Sequence, residues 1–152
     1  MTLATEAANP IPPTPGANPA CHAATWFWAA KVAQAATGNN KTTLETLGNI
    51  ASMNPSAQVA MGQLAQSGTW DFTKTPNTPP DGSVLYWPDG NTHSAVVTGN
   101  GQIHGYNQST QFNNIPNTGH NAASPNDLKP DQTTCKVISE ATIVAEATRL
   151  NL

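Results

Sequence analysis

Between Ala20 and Ala36 the chain carries a single charge, Lys31, in a run of alanines broken by Trp26, Phe27, Trp28 and Val32. A helix with so little polar face is stable only when apolar neighbours cover most of its sides, so the rest of the molecule has to be assembled around this segment. Asn18 reads as its N-cap, Pro19 as its first helical residue and Gly38 as its terminator. Upstream, residues 9–19 hold five of the thirteen prolines, which leaves no room for a helix there. Residues 1–17 are therefore expected to form an extended Pro-rich arm, and residues 18–152 a single domain large enough for one hydrophobic core.

Downstream, Thr42-x-x-Glu45 has the capping-box form ahead of Leu47 and Ile50, and Asn54-Pro55 repeats the cap-then-proline start ahead of Val59 and Met61. Two short helices follow from this, the second ending near Gly68. After the Pro-rich turn 75–82 the periodicity changes: 83–87, 93–98 and 102–106 are short β-rich runs, the last two joined by the hairpin turn Asn100-Gly101. Residues 107–133, rich in Asn, Pro and Thr, read as a long surface loop able to shape a site. Residues 134–138 read as a returning strand and 140–150 as a closing helix capped by Ser139. The class is α+β, with helices first and an antiparallel sheet second.

Charge narrows the functional classes. Six Lys/Arg stand against nine Asp/Glu, and no two cations lie closer in sequence than Lys129 and Lys136, so phosphate-binding clusters are missing and a nucleic-acid partner is excluded. Surface polarity comes instead from 16 Asn and 20 Thr. No run approaches the roughly 18 apolar residues of a membrane helix, and the opening Met1-Thr2-Leu3-Ala4-Thr5-Glu6 lacks the basic flank of a secretory signal. Expected locations are the cytoplasm, or the exterior by a signal-independent route, with no membrane partner. No motif calls for a cofactor or metal.

Cys21 falls in the opening turn of the buried helix, where free amides and the helix dipole favour thiolate and draw a thiol pKa below its usual ~8.5. That is nucleophile chemistry. Read blandly, Cys21 is a small buried hydrophobe or half of a disulfide with Cys135. A nucleophilic thiolate needs a proton carrier, and His93 heads a strand of core character, Ser94-Ala95-Val96-Val97-Thr98, that would hold its imidazole at the sheet rim.

The segment from Asp81 to Trp87, followed by His93 through His104, resembles the sheet half of the NlpC and CHAP groups of papain-like cysteine hydrolases. In those groups a Pro-Gly-Asp-Val-type strand precedes a His at the head of a second strand, a Gly-rich hairpin and a third strand. Their nucleophilic Cys lies upstream at the start of a buried helix, where this chain has Ala20-Cys21-His22. The resemblance covers residues 18–36 and 80–108. It implies a papain-like fold, a cysteine peptidase or amidase acting through an acyl-enzyme, and a peptide substrate, foremost the peptide part of peptidoglycan. A signal-less protein of this kind resembles a secreted antibacterial effector toxin, with a cognate immunity protein as partner. A host-protein-directed protease, deamidase or acyltransferase on the same fold is the alternative, followed by a non-enzymatic binding module.

The third catalytic residue stays open. By resemblance to NlpC proteins it is His104, by resemblance to papain Asn107, with Gln108 ranked after both. An ideal turn at Asn100-Gly101 pairs Val97 with His104 and His93 with Gln108. His104 then shares a face with His93 but lies roughly 13 Å along the strand, whereas Asn107 is nearer and points to the other face. The Cys21 amide is the expected oxyanion donor, with Asn18 as a possible second. His22 is expected to face away as a surface or packing residue, and His120 has no evident partner. A zinc site from Cys21, His93, His104 and Cys135 lacks ligand spacing. Of the four Trp, only Trp70 suits a carbohydrate-binding groove wall.

Overall fold

The computed structural model describes residues 1–15, 18–66 and 68–152. Those residues form an α+β fold of five α-helices and one six-stranded antiparallel sheet. The long helix α2 (Cys21–Thr37) is the centre of the helical layer, with Trp26, Phe27, Trp28, Ala29 and Ala30 buried. Helices α1 (Leu3–Ala7), α3 (Thr43–Ala51), α4 (Ala57–Leu64) and α5 (Glu140–Arg149) surround it, so the near-absence of charge is explained by neighbours on most of its sides.

Element ends follow local chemistry. Gly38 closes α2 in the left-handed region at φ 69°, as its sequence position suggested. Thr42 and Glu45 form the reciprocal capping box of α3, and Ser139 caps α5. Two starts differ from expectation. The N-cap of α2 is Ala20, with no side-chain cap, while Asn18 is exposed and Pro19 lies outside the helix. Helix α4 is capped by Ser56, after Asn54-Pro55, and ends at Leu64 with Ala65 as its C-cap.

The expected arm over residues 1–17 is also revised. Thr2 and Thr5 form a capping box, and Leu3, Ala7 and Ile11 are buried in the main core. Leu3 and Ala7 lie four residues apart on one face of a single turn, which suffices to seat α1 against α2. The backbone N–H of Ile11 donates to the Tyr106 hydroxyl at 2.9 Å, and that of Leu3 donates to the Glu140 carboxylate. Residues 10–13 lie outside any helix or strand, in keeping with their three prolines. Gly16 and Ala17, the last two residues of the expected arm, lie outside the described residues.

The strands are β1 (Thr69–Asp71), β2 (Val84–Trp87), β3 (His93–Gly99), β4 (Gln102–Tyr106), β5 (His120–Ala123) and β6 (Thr134–Ile138), in the spatial order β1-β6-β2-β3-β4-β5. Side chains alternate between two covered faces. Val84, Tyr86, Val96, Tyr106 and Ile138 meet the helices. Leu85, Trp87, Ala95, Val97, Ile103 and Cys135 form a second core with Phe72, Phe112 and Leu128. The stretch 107–133 is therefore more than a surface loop, since it supplies β5 and the cover of this second face. Among the described residues, no helix is long and apolar enough to cross a membrane.

Candidate active site

Cys21 is the first residue of α2, and its half-buried sulfur lies 3.8 Å from the carbonyl oxygen of Thr92, to which the thiol donates. Ala20 offers no capping side chain, so the amides of the opening turn remain available to groups placed beside them. Those of Cys21 and His22, together with the Ser94 N–H from β3, pull the thiol pKa down. Burial outweighs them and holds the thiol above its ordinary range, opposite to the direction expected from the helix dipole alone. The resting sulfur is therefore a protonated thiol.

His93 opens β3 opposite Trp87, whose ring lies 5.6 Å away and is itself wedged against Phe112. The imidazole is 2% exposed, and burial lowers its pKa to about 4, so the ring is neutral near pH 7. Its Nε2 lies 3.3 Å from Oε1 of Gln108. The Gln108 amide group donates to Ile103 O at 3.3 Å and Asn121 O at 3.0 Å, carbonyls that can only accept. Its Oε1 must then face His93 as acceptor, which places the imidazole hydrogen on Nε2 and leaves the Nδ1 lone pair free. Among the polar side chains the sequence offered, Gln108 is the one that fixes the tautomer.

The backbone explains how Gln108 gets there. Asn107 adopts the left-handed conformation at φ 58°, and its Oδ1 accepts the Gly119 N–H at 3.0 Å, which turns the chain back over β4. Gly105 leaves room for the returning amide: a Cβ there would meet Gln108 Oε1 at 3.0 Å and Ala95 Cβ at 3.1 Å. Asn107 thus shapes the turn and does not touch His93. His104 is also placed elsewhere. The β3–β4 register pairs Val96 with His104 and Val97 with Ile103, one residue from the ideal-turn alignment, because of an irregularity between Val97 and Gly99. That shift sends His104 to the helix face, where Nδ1 lies 2.6 Å from Thr98 Oγ1 and the ring stacks on His120 at 5.2 Å. His120 in turn donates through Nε2 to Ala7 O at 2.8 Å, joining β5 to the end of α1.

His22, expected to face away, is buried, with Nδ1 2.9 Å from Ser94 Oγ and Nε2 3.0 Å from Thr92 Oγ1. Burial lowers its pKa to about 4. The hydroxyls give the direction of each bond. Thr25 donates to Cys21 O at 3.1 Å, and Ser94 donates to Thr25 Oγ1 at 3.0 Å. Ser94 has then spent its hydrogen, so His22 Nδ1–H donates to it and Nε2 accepts from Thr92. The sequence signal for this cluster was the pair of hydroxyl residues flanking His93, Thr92 and Ser94, the latter in an otherwise apolar strand.

Both cysteines are unpaired, and Cys135 is buried in the second core with its pKa pushed up to about 12. Cys21, His93, His104 and Cys135 are not brought together, and among the described residues no three His, Cys, Asp or Glu side chains are grouped to hold a metal ion. Trp70 is half-buried, its Nε1 donating to Asn77 O at 3.1 Å and its ring edge-on to Phe72. Comparison of the chain with protein-family models, with curated proteins and with solved structures finds no match.

Proposed function

We propose that this chain is a papain-like cysteine hydrolase that cleaves an amide bond through an acyl-enzyme, with the peptide part of peptidoglycan as substrate. The observation that carries the reading is the placement of a helix-terminal thiol against the residue next to a buried, neutral imidazole whose tautomer is fixed by Gln108. A solvent-facing structural cysteine has no use for such a neighbour. Helices first, sheet second and a Cys at the start of the central helix support the papain-like arrangement.

The protonation states set the mechanism. With a neutral thiol and a neutral imidazole, proton transfer accompanies attack. The Cys21 S–H, resting on Thr92 O, gives up its proton to His93 at the head of β3 as sulfur bonds the acyl carbon. The imidazolium that forms is steadied by Gln108 Oε1, which accepts its Nε2–H. The oxyanion is met by the free amides at the start of α2, that of Cys21 foremost. His93 then gives its proton to the leaving nitrogen as the C–N bond breaks, and water, deprotonated by the same imidazole, hydrolyses the thioester.

Digestion of purified sacculi, read by mass spectrometry, tests this. New amine and carboxyl termini in the stem peptides are expected with the parent protein and none with Cys21→Ala or His93→Ala. Intact sacculi after incubation with a folded parent protein would overturn the substrate assignment.

A further inference from the structure

We propose that His22 is a positioning residue of this site: by accepting from Thr92 and donating to Ser94, it clamps the two residues that flank His93 onto the first turn of α2, and so sets where the Cys21 sulfur stands relative to the start of β3 that carries His93. The inference rests on the hydrolase reading above and adds a residue that neither attacks nor carries the proton.

The geometry is specific to this role. Successive side chains of a strand point to opposite faces, so His93 looks into the second core while Thr92 and Ser94 stay on the helix side. A group bonded to only one of them would tie the first turn of α2 to the start of β3 at a single point. His22 holds both, through opposite nitrogens of one rigid ring, and Ser94 passes the order on through Thr25 to the Cys21 carbonyl. The bonds therefore form a closed circuit through the backbone at Cys21 and at His93. Two titratable groups pack around the imidazole besides His93. Tyr86 of β2 lies with its ring 5.7 Å away, and Cys21 precedes it in the chain. All of these are neutral near pH 7, so hydrogen bonds alone hold the clamp.

Acetylation by p-nitrophenyl acetate tests this without knowledge of the natural substrate. The thiol proton passes to His93, the S–acetyl bond forms, the ester C–O bond breaks and p-nitrophenolate leaves. Release of p-nitrophenolate gives the rate, intact mass and peptide mapping give the site, and iodoacetamide reports the thiol alone. At saturating ester, His22→Ala is expected to slow acetylation of Cys21 about tenfold or more, the scale set by two lost hydrogen bonds, without a comparable fall in alkylation. His22→Asn, which can still donate to Ser94, should recover part of the rate, and Thr92→Val, which removes the other partner, should lose part of it. Gln34→Ala gives up buried hydrogen bonds to Thr46 and Leu152 away from the site and should lower stability without slowing acetylation. If His22→Ala does not fold, the Asn and Val variants decide. Parent-like acetylation in the folded His22 and Thr92 variants overturns the positioning role and leaves the hydrolase reading standing. Failure of the parent protein to acetylate at Cys21 overturns both.

Discussion

Oε1 of Gln108 faces Nε2 of His93 at 3.3 Å because the other end of the same amide is held by carbonyls of two strands, Ile103 in β4 and Asn121 next to it in β5. The orientation of the imidazole is thus inherited from sheet hydrogen bonding and does not depend on a mobile loop.

Removing that amide should be felt in turnover. Gln108→Ala is expected to lower kcat by about a hundredfold or more with a smaller change in KM, since tautomer and ring position are lost while the substrate surface is kept. His104→Ala, on the helix face, should stay within a few-fold of the parent. Steady-state cleavage of a stem peptide distinguishes them, and a large kcat loss confined to His104→Ala would reject Gln108 as the partner.

Gly105 offers a test from beneath. An added methyl meets both Gln108 Oε1 and Ala95 Cβ at sub-van der Waals range, and Ala95 belongs to the packed β3 and cannot yield. Gly105→Ala should therefore displace Gln108, cost about 1–3 kcal/mol of stability and reduce kcat in a protein that still folds. Thermal melts alongside kcat measurements check this. Unchanged values for both would mean that the amide does not lie against Gly105 in solution.

Acid should destabilise the protein through its two buried imidazoles. His22 and His93 both have folded pKa values near 4 against 6.5 for an exposed ring, so the unfolded chain binds protons first. Stability is complete above pH 6.5 and falls as pH drops toward 4, by on the order of 3 kcal/mol for each buried ring. Urea unfolding at pH 7, 6 and 5 reads the slope, and His22→Asn should flatten it. A parent curve that is level between pH 7 and 5 would contradict the burial of these rings.

The two thiols should behave differently. In native protein iodoacetamide is expected to modify Cys21 alone, and both residues in denaturant, since Cys135 is 2% exposed. Cys135→Ala should cost about 1–2 kcal/mol through the small cavity left in the second core, with activity retained. Intact mass without reductant reports the count, and a species two hydrogens lighter that resists alkylation would reveal a disulfide.

Much of this arrangement was legible in the sequence, and the misses share one cause. The uncharged run around Trp26, the capping box at Thr42, the cap at Ser139 and the hairpin at Asn100-Gly101 are local signals, read directly from side-chain chemistry. Register is not local: the irregularity between Val97 and Gly99 shifts β4 by one residue, which suffices to send His104 to the opposite face. β5 escaped notice because His120-Asn121-Ala122-Ala123 has no β-branched or alternating pattern and is a strand only because β4 offers it an edge. α1 was hidden by its length, a single turn that persists through burial of Leu3 and Ala7. His22 looked idle because the opening turn of a helix reads as solvated until the strand that covers it is known.

β6 pairs with β1 on one side and β2 on the other, although every other strand precedes it in the chain. A ribosome delivers β1 through β5 while the place between β1 and β2 is still empty, and the second core stays open until Cys135 and its neighbours arrive to fill it. Maturation of this molecule is thus gated by its last strand, with long-range pairing as the slow event and an interval in which two bare edges need protection from self-association.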